Sequence, residues 1–174
     1  MSDLLILVDE NDRETGVMEK LAVHEAGLLH RAFSIFIFNS SGELLLQQRA
    51  DEKYHSAGLW SNTCCSHPIE GEDISDTINR RLEEEMGMQS DLKFQFSFIY
   101  RIALEHGLTE HELDHVYFGT SDIPPQPNPM EVQDWKYMSL QDLTREIGLN
   151  PEHYSAWLQI CLPKINEHFY KPNP

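Results

Sequence analysis

Apolar positions fall along the chain in short runs set apart by polar, glycine- or asparagine-bearing segments, a pattern that predicts several strands and few helices. Residues 4–8 form an apolar run of strand length, and 9–16 read as a polar turn joining two strands, followed by a connection over 20–30. Residues 33–38 are a second apolar run, Asn39-Ser40-Ser41-Gly42 is a turn, and 44–48 a further strand, which together predict a hairpin. Residues 49–58 form a polar loop. The period then changes: Ile74, Ile78, Leu82 and Met86 recur every four residues, with Gly87 behind them as a stop, so 74–86 is a predicted helix. Residues 94–103 and 113–118 are rich in aromatic and β-branched side chains and read as strands about a His106-Gly107 turn. Prolines crowd 121–130, which fits a surface loop; 135–138 reads as a last strand, and 140–147 and 153–169 as helices, the second bent or broken at Pro163. Strands and helices in this order predict an α/β sandwich with a mixed β-sheet flanked by helices, and 174 residues suit one domain over 1–174.

Charge narrows the function. Thirteen Lys and Arg against 29 Asp and Glu give a net charge of −16, which repels nucleic acid and anionic membrane, so neither is expected as a partner. An anionic small molecule would need a local cationic pocket. The opening MSDLLILVDE has an acidic flank, and no apolar run approaches the ~20 residues of a membrane span, so a cytoplasmic protein is expected. Cys64, Cys65 and Cys161 are odd in number and read as reduced thiols.

Two groups of polar residues stand against the apolar pattern. At ~100° per residue, Glu85 falls inside the apolar stripe of the 74–86 helix beside Ile78, whereas Glu83 and Glu84 point away from it. An inward carboxylate there predicts either a pair with Arg81, one turn earlier, or a ligand to a hard cation such as Mg2+. The second group is His24, His30 and His67 with Glu110 and Glu112. In an extended segment the two glutamates share one face and His111 takes the other, so both can meet one ion, and nitrogen with oxygen ligands suits zinc, manganese or iron better than calcium. The adjacent Cys64 and Cys65 must likewise face opposite sides of an extended segment, so only one addresses a site.

Gly71 with Arg80-Arg81-Leu82-Glu83-Glu84-Glu85-Met86-Gly87 resembles the Nudix helix, whose carboxylates bind magnesium at a diphosphate; Thr77 and Arg81 stand where that pattern has further glutamates. Over residues 4–165 the chain resembles the type I isopentenyl-diphosphate isomerases, through Glu19-Lys20, Arg49, Lys53, Asn62-x-x-Cys65-x-His67-Pro68, Tyr100-Arg101, Glu110-x-Glu112 and Trp157. This resemblance implies a Nudix-like fold and a reaction that moves a carbon–carbon double bond by adding one proton and removing another. It implies that Cys65, with Cys64 packed behind it, and Glu112 are the acid–base pair, with Tyr100 as a proton relay and Trp157 facing a carbocation-like state. It implies that Lys20, Arg49, Lys53 and Arg81 contact the diphosphate, that Mg2+ rests on Glu85 and the Cys65 backbone carbonyl, and that one Mn2+ or Zn2+ binds His24, His30, His67, Glu110 and Glu112. No obligate protein partner follows from it. The competing reading is a Nudix hydrolase of a nucleoside or other diphosphate.

Overall fold

The structure, a computed structural model, describes residues 4–53 and 55–171; the acidic opening residues 1–3 and the ends of the predicted 1–174 domain lie outside the described part. Its centre is strand β3 (His30–Phe38), buried on both faces. Successive side chains serve different cores, as the two-residue period requires: Phe33, Ile35 and Ile37 pack under helix α2 (Ile74–Met86), and Phe36 and Phe38 pack with α3 (Leu140–Leu149) and α4 (Ala156–Phe169) on the other side. Strand β4 (Glu43–Arg49) repeats the division, with Leu45 on the first side and Leu44 and Leu46 on the second. This is the expected sandwich of a mixed sheet between helices.

Around β3 the sheet is assembled from distant segments. β1 (Leu4–Val8) pairs antiparallel with β2 (Glu14–Glu19) and touches β3 at Leu7↔His30. The short β5 (Trp60–Ser61) runs beside β4, and β6 (Cys64–Ser66) runs antiparallel to β3. β7 (Lys93–Ala103) and β8 (Thr109–Thr120) form a long hairpin, β8 lies parallel to β3 along its whole length, and β9 (Val132–Ser139) closes on β4.

Four expectations need correction. Residues 20–30 are not a plain connection, because Lys20–Ala26 form helix α1, capped by the Glu19 carboxylate on the Ala22 N–H at 3.1 Å and ended by Gly27 in the left-handed region at φ 63°. Seven residues are too few to show a period. The 9–16 turn is shorter than expected, since β2 begins at Glu14; it lies open to solvent along nearly its whole length and so lacks an apolar face. The 33–48 hairpin closes at its turn but pairs only at Phe38↔Leu44 before β6 takes over that edge of β3 and β4 continues along β9. Finally, β8 starts at Thr109 rather than 113, the apolar pattern being interrupted there by the very glutamates expected to be functional. The 74–86 helix is found as expected, ended by Gly87 at φ 60°.

Candidate active site

All of the expected site residues except the fully buried His24 and His30 line one open cleft where α1, β3, β6 and β8 converge. Strand register explains why. Glu112 has His30 as its partner across the parallel β3–β8 pair and Tyr100 across the antiparallel β7–β8 pair, so both flanks of this carboxylate are set by ladder hydrogen bonds. Ser34, four residues beyond His30, is the partner of Cys65 on β6. Sheet geometry therefore carries Cys65, Glu112 and Tyr100 into the same cleft wall.

The histidine and glutamate set is assembled as expected. His24 from α1, His30 from β3, His67 just after β6, and Glu110 and Glu112 from β8 offer ligand atoms all within 4.8 Å of one another. His24 Nδ1 is 2.6 Å from the Lys20 carbonyl and His30 Nδ1 is 2.9 Å from that of Leu28. A carbonyl only accepts, so each Nδ1 carries the proton and each Nε2 turns a lone pair inward. Those Nε2 atoms and Glu110 Oε2 are buried without a hydrogen-bond partner, an arrangement that costs free energy unless a cation meets them. His67 Nε2 stands 2.9 Å from Glu112 Oε1. The donor set fits a divalent ion. His111 points the other way, to the Gly27 carbonyl at 3.0 Å.

Cys65 opens on the cleft, whereas Cys64 is wholly buried among Phe33, Ile35 and Leu82. Burial pushes the Cys65 thiol up to about 12, with Arg49 opposing and Glu85, Glu112 and Asp114 reinforcing it, so the thiol keeps its proton at neutral pH. Glu112 behaves oppositely. Burial alone would raise it, but the neighbouring His30 imidazole and Glu110 side chain, together with the Tyr100 hydroxyl, outweigh burial and hold it down at about 2. The Tyr100 hydroxyl donates to Glu112 Oε2 at 2.5 Å. Trp157, on the first turn of α4, lines the cleft with the Arg49 guanidinium 5.1 Å from its ring.

Lys20, Arg49, Lys53 and Arg81 line the cleft as well and supply the cationic pocket that so acidic a chain requires. Lys53 is paired with Glu131, and Arg81 reaches Glu84 at 2.7 Å and Glu85 at 2.5 Å. The helix projection is correct: Glu85 is buried, also receives Gln47 Nε2 at 3.2 Å, and faces the cleft, while Glu83 and Glu84 are exposed. Thr77 is buried too, but its hydroxyl is bonded to Glu72 at 2.8 Å and to the Asp73 carbonyl, so this position closes the start of α2 and is turned away from the cleft.

Three residues of the site escaped the sequence reading. Ser66 and His55 line the cleft; His55 is buried, stands 3.7 Å from Glu110 and lies edge-on to Trp157, and burial lowers it to about 4. Nothing in the polar loop around His55 marks it. Asp114 could have been found, because Glu110, Glu112 and Asp114 share one face of β8; it is buried, accepts the Ser34 hydroxyl at 2.8 Å, and is pushed well up by burial and by Glu112.

Residues 28–158 match the NUDIX domain family. A solved Deinococcus radiodurans protein shares the fold at a TM-score of 0.77 and 20% identity, covering 97% of this chain and all of its own, and a Burkholderia pseudomallei MutT NUDIX hydrolase does so at 0.62 and 20%, covering 79% and 98%. Identity is far higher to curated isopentenyl-diphosphate Delta-isomerases: 52% to that of Pectobacterium atrosepticum over 95% of this chain and 92% of the relative, and 44% to that of Burkholderia multivorans over 94% and 93%. With the cleft geometry and this identity over nearly its whole length, the chain belongs to the isopentenyl-diphosphate Delta-isomerase family, on a NUDIX fold.

Proposed function

We propose that this cleft interconverts isopentenyl and dimethylallyl diphosphate by protonation at one carbon and deprotonation at another, with Cys65 and Glu112 as the two proton-handling groups. The observation that carries the reading is the convergence of a thiol on β6 and a carboxylate on β8 in one cleft beside an aromatic face, and burial that favours the protonated thiol is consistent with it. One group gives a proton while the other takes one, so each turnover exchanges their protonation states. Tyr100, bonded to Glu112, offers the relay for resetting them. Trp157 faces the tertiary cation between the two steps and, with Phe33, keeps water from trapping it as an alcohol.

Lys20, Arg49, Lys53 and Arg81 hold the diphosphate, Arg by its planar fork and Lys as a point charge. In this reading Lys53 leaves Glu131, and Arg81 shares Glu85 with magnesium, which the Cys65 backbone carbonyl also ligates. His24, His30, His67, Glu110 and Glu112 hold one manganese or zinc ion. When bound, these ions supply positive charge beside the diphosphate and beside Glu112. Residues 1–174 act as one domain, because β1 before the NUDIX match and α4 at its end both pack onto the central sheet. The substrate is a soluble small molecule. Among the described residues no helix is long and apolar enough to cross a membrane, and the acidic surface is unsuited to nucleic acid.

The NUDIX neighbours favour hydrolysis only through their fold, and fold does not carry chemistry. Thr77 and Arg81 leave α2 without two of the carboxylates that a water-activating helix would supply. Incubation with isopentenyl diphosphate and magnesium in heavy water should place deuterium in the dimethylallyl product. Release of phosphate without labelled isomer would instead establish the hydrolase.

A further inference from the structure

We propose that Ser61 is a positioning residue for the isomerisation: its hydroxyl anchors the Trp157 indole by its N–H and ties that ring, through Asn62, to the peptide that carries the Cys65 thiol. The inference rests on the role of Trp157 given above. Ser61, Asn62 and Ser155 are wholly buried, yet all are polar, and the hydrogen bonds among them close without remainder. Trp157 Nε1 donates to Ser61 Oγ at 2.9 Å, since an indole nitrogen can only donate. Ser61 Oγ also lies 3.0 Å from Asn62 Oδ1 and 3.0 Å from Ser155 Oγ. A hydroxyl has one proton and two lone pairs, and Asn62 Oδ1 only accepts. Ser61 therefore gives its proton to Asn62 and takes one from Trp157 and one from Ser155. Asn62 Nδ2 then donates to the Cys64 carbonyl at 2.9 Å and to that of Ile35 at 3.2 Å, which fixes the orientation of its amide.

Direction matters here. Every proton in the chain runs from Trp157 towards the Cys64–Cys65 peptide, so ring and thiol are held in one frame built from four rigid groups. An indole whose N–H is engaged by an acceptor has a more electron-rich face, which strengthens its attraction for a cation. The Arg49 guanidinium at 5.1 Å shows that the ring already holds one positive group. The buried location adds to this, because a hydrogen bond in a low-dielectric interior polarises its neighbours more than one in water. Ser61 is fully buried and is not among the residues that line the cleft, so its effect passes through Trp157.

The test uses metal-replete protein and two probes: inorganic diphosphate, and a short alkyl diphosphate bearing a tertiary ammonium at the position of the cationic carbon. Ser61→Ala should bind the ammonium probe about fivefold more weakly, the share of a desolvated cation–π contact that its anchor controls. Diphosphate affinity should stay within about twofold, because the cationic wall is untouched. The kcat should fall with KM unchanged, and the Trp157 indole N–H proton resonance should move upfield. Ser155→Ala removes another partner of the same hydroxyl but leaves the indole bond, so it should retain ammonium affinity; equal loss in both variants would make the network merely structural and overturn the proposal. Trp157→Leu, which removes the aromatic face altogether, separates the two claims. If it keeps full ammonium affinity, the assigned role of Trp157 fails and the Ser61 inference with it. If it loses affinity while Ser61→Ala binds both probes as the unaltered protein does, only the Ser61 inference is overturned. Should Ser61→Ala fail to fold, Ser61→Cys keeps the shape with a weaker acceptor and must show the same split between probes, unchanged binding of both again overturning the proposal.

Discussion

Adjacent cysteines with opposite fates show how much one residue step decides. Cys64 and Cys65 have the same chemistry and the same strand, but β6 alternates, so one thiol is sealed under α2 and the other opens on the cleft. Alternation alone predicted that split, and the same rule selected Glu110 and Glu112 over His111. It was not carried one step further to Asp114, whose position on that face was equally legible. Replacing Cys65 by Ala or Glu112 by Gln should each lower turnover by about 10³-fold or more, the scale of a lost acid or base. Cys64→Ala should keep most of the turnover and lower stability by about 1 kcal/mol through a small cavity. Steady-state rates on the three variants check this, and equal loss at Cys64 would place the reactive thiol at the wrong residue.

At the scale of elements, α2 was legible because thirteen residues display a full period and end at Gly87. Helix α1 was not, although it carries His24, since seven residues give less than two turns and its cap is a glutamate. The end of α2 also depends on a contact that no local pattern contains. The proline-rich loop returns to it, with the Gln126 N–H bonded to the Met86 carbonyl and the Asn128 N–H to that of Glu85, so the loop steadies the residue proposed to meet magnesium. A Cβ at Gly87 would lie 2.4 Å from the Gln126 carbonyl oxygen, in a conformation that already disfavours side chains. Gly87→Ala should therefore cost about 2–4 kcal/mol, beyond the ~1–2 kcal/mol of the left-handed conformation alone. Denaturant unfolding measures this, and a loss below that backbone cost would mean the loop yields freely. Magnesium affinity should weaken in the same variant.

Over the whole molecule the three thiols set an alkaline limit. Burial raises Cys64 and Cys161 far above the ordinary thiol range and Cys65 to about 12. The unfolded chain loses these protons from about pH 8.5 upward, whereas the native state keeps them, so the unfolded state binds fewer protons and stability falls as pH rises. The stabilisation is complete below the unfolded thiol value and is lost as pH climbs towards the folded values, at about 1.4 kcal/mol per pH unit for each thiol. Melting temperatures between pH 7 and 10 should decline above about 8.5, and less steeply in Cys161→Ala; a flat profile would contradict thiol burial. The sequence by itself determined the strand and helix periods, the inward face of Glu85, the outward face of His111 and the shortage of positive charge, because each follows from the geometry of a few neighbouring residues. Only the tertiary structure decided that β6 would take most of the edge of β3 that the hairpin left open and that β8, 82 residues along, would line the other edge, and so set Cys65 beside Ser34 and His30 beside Glu112. The physical reason is that β3 lies inside the sheet, so the backbone groups on both of its edges must be hydrogen-bonded by other strands, and its hairpin neighbour meets it at one pair only.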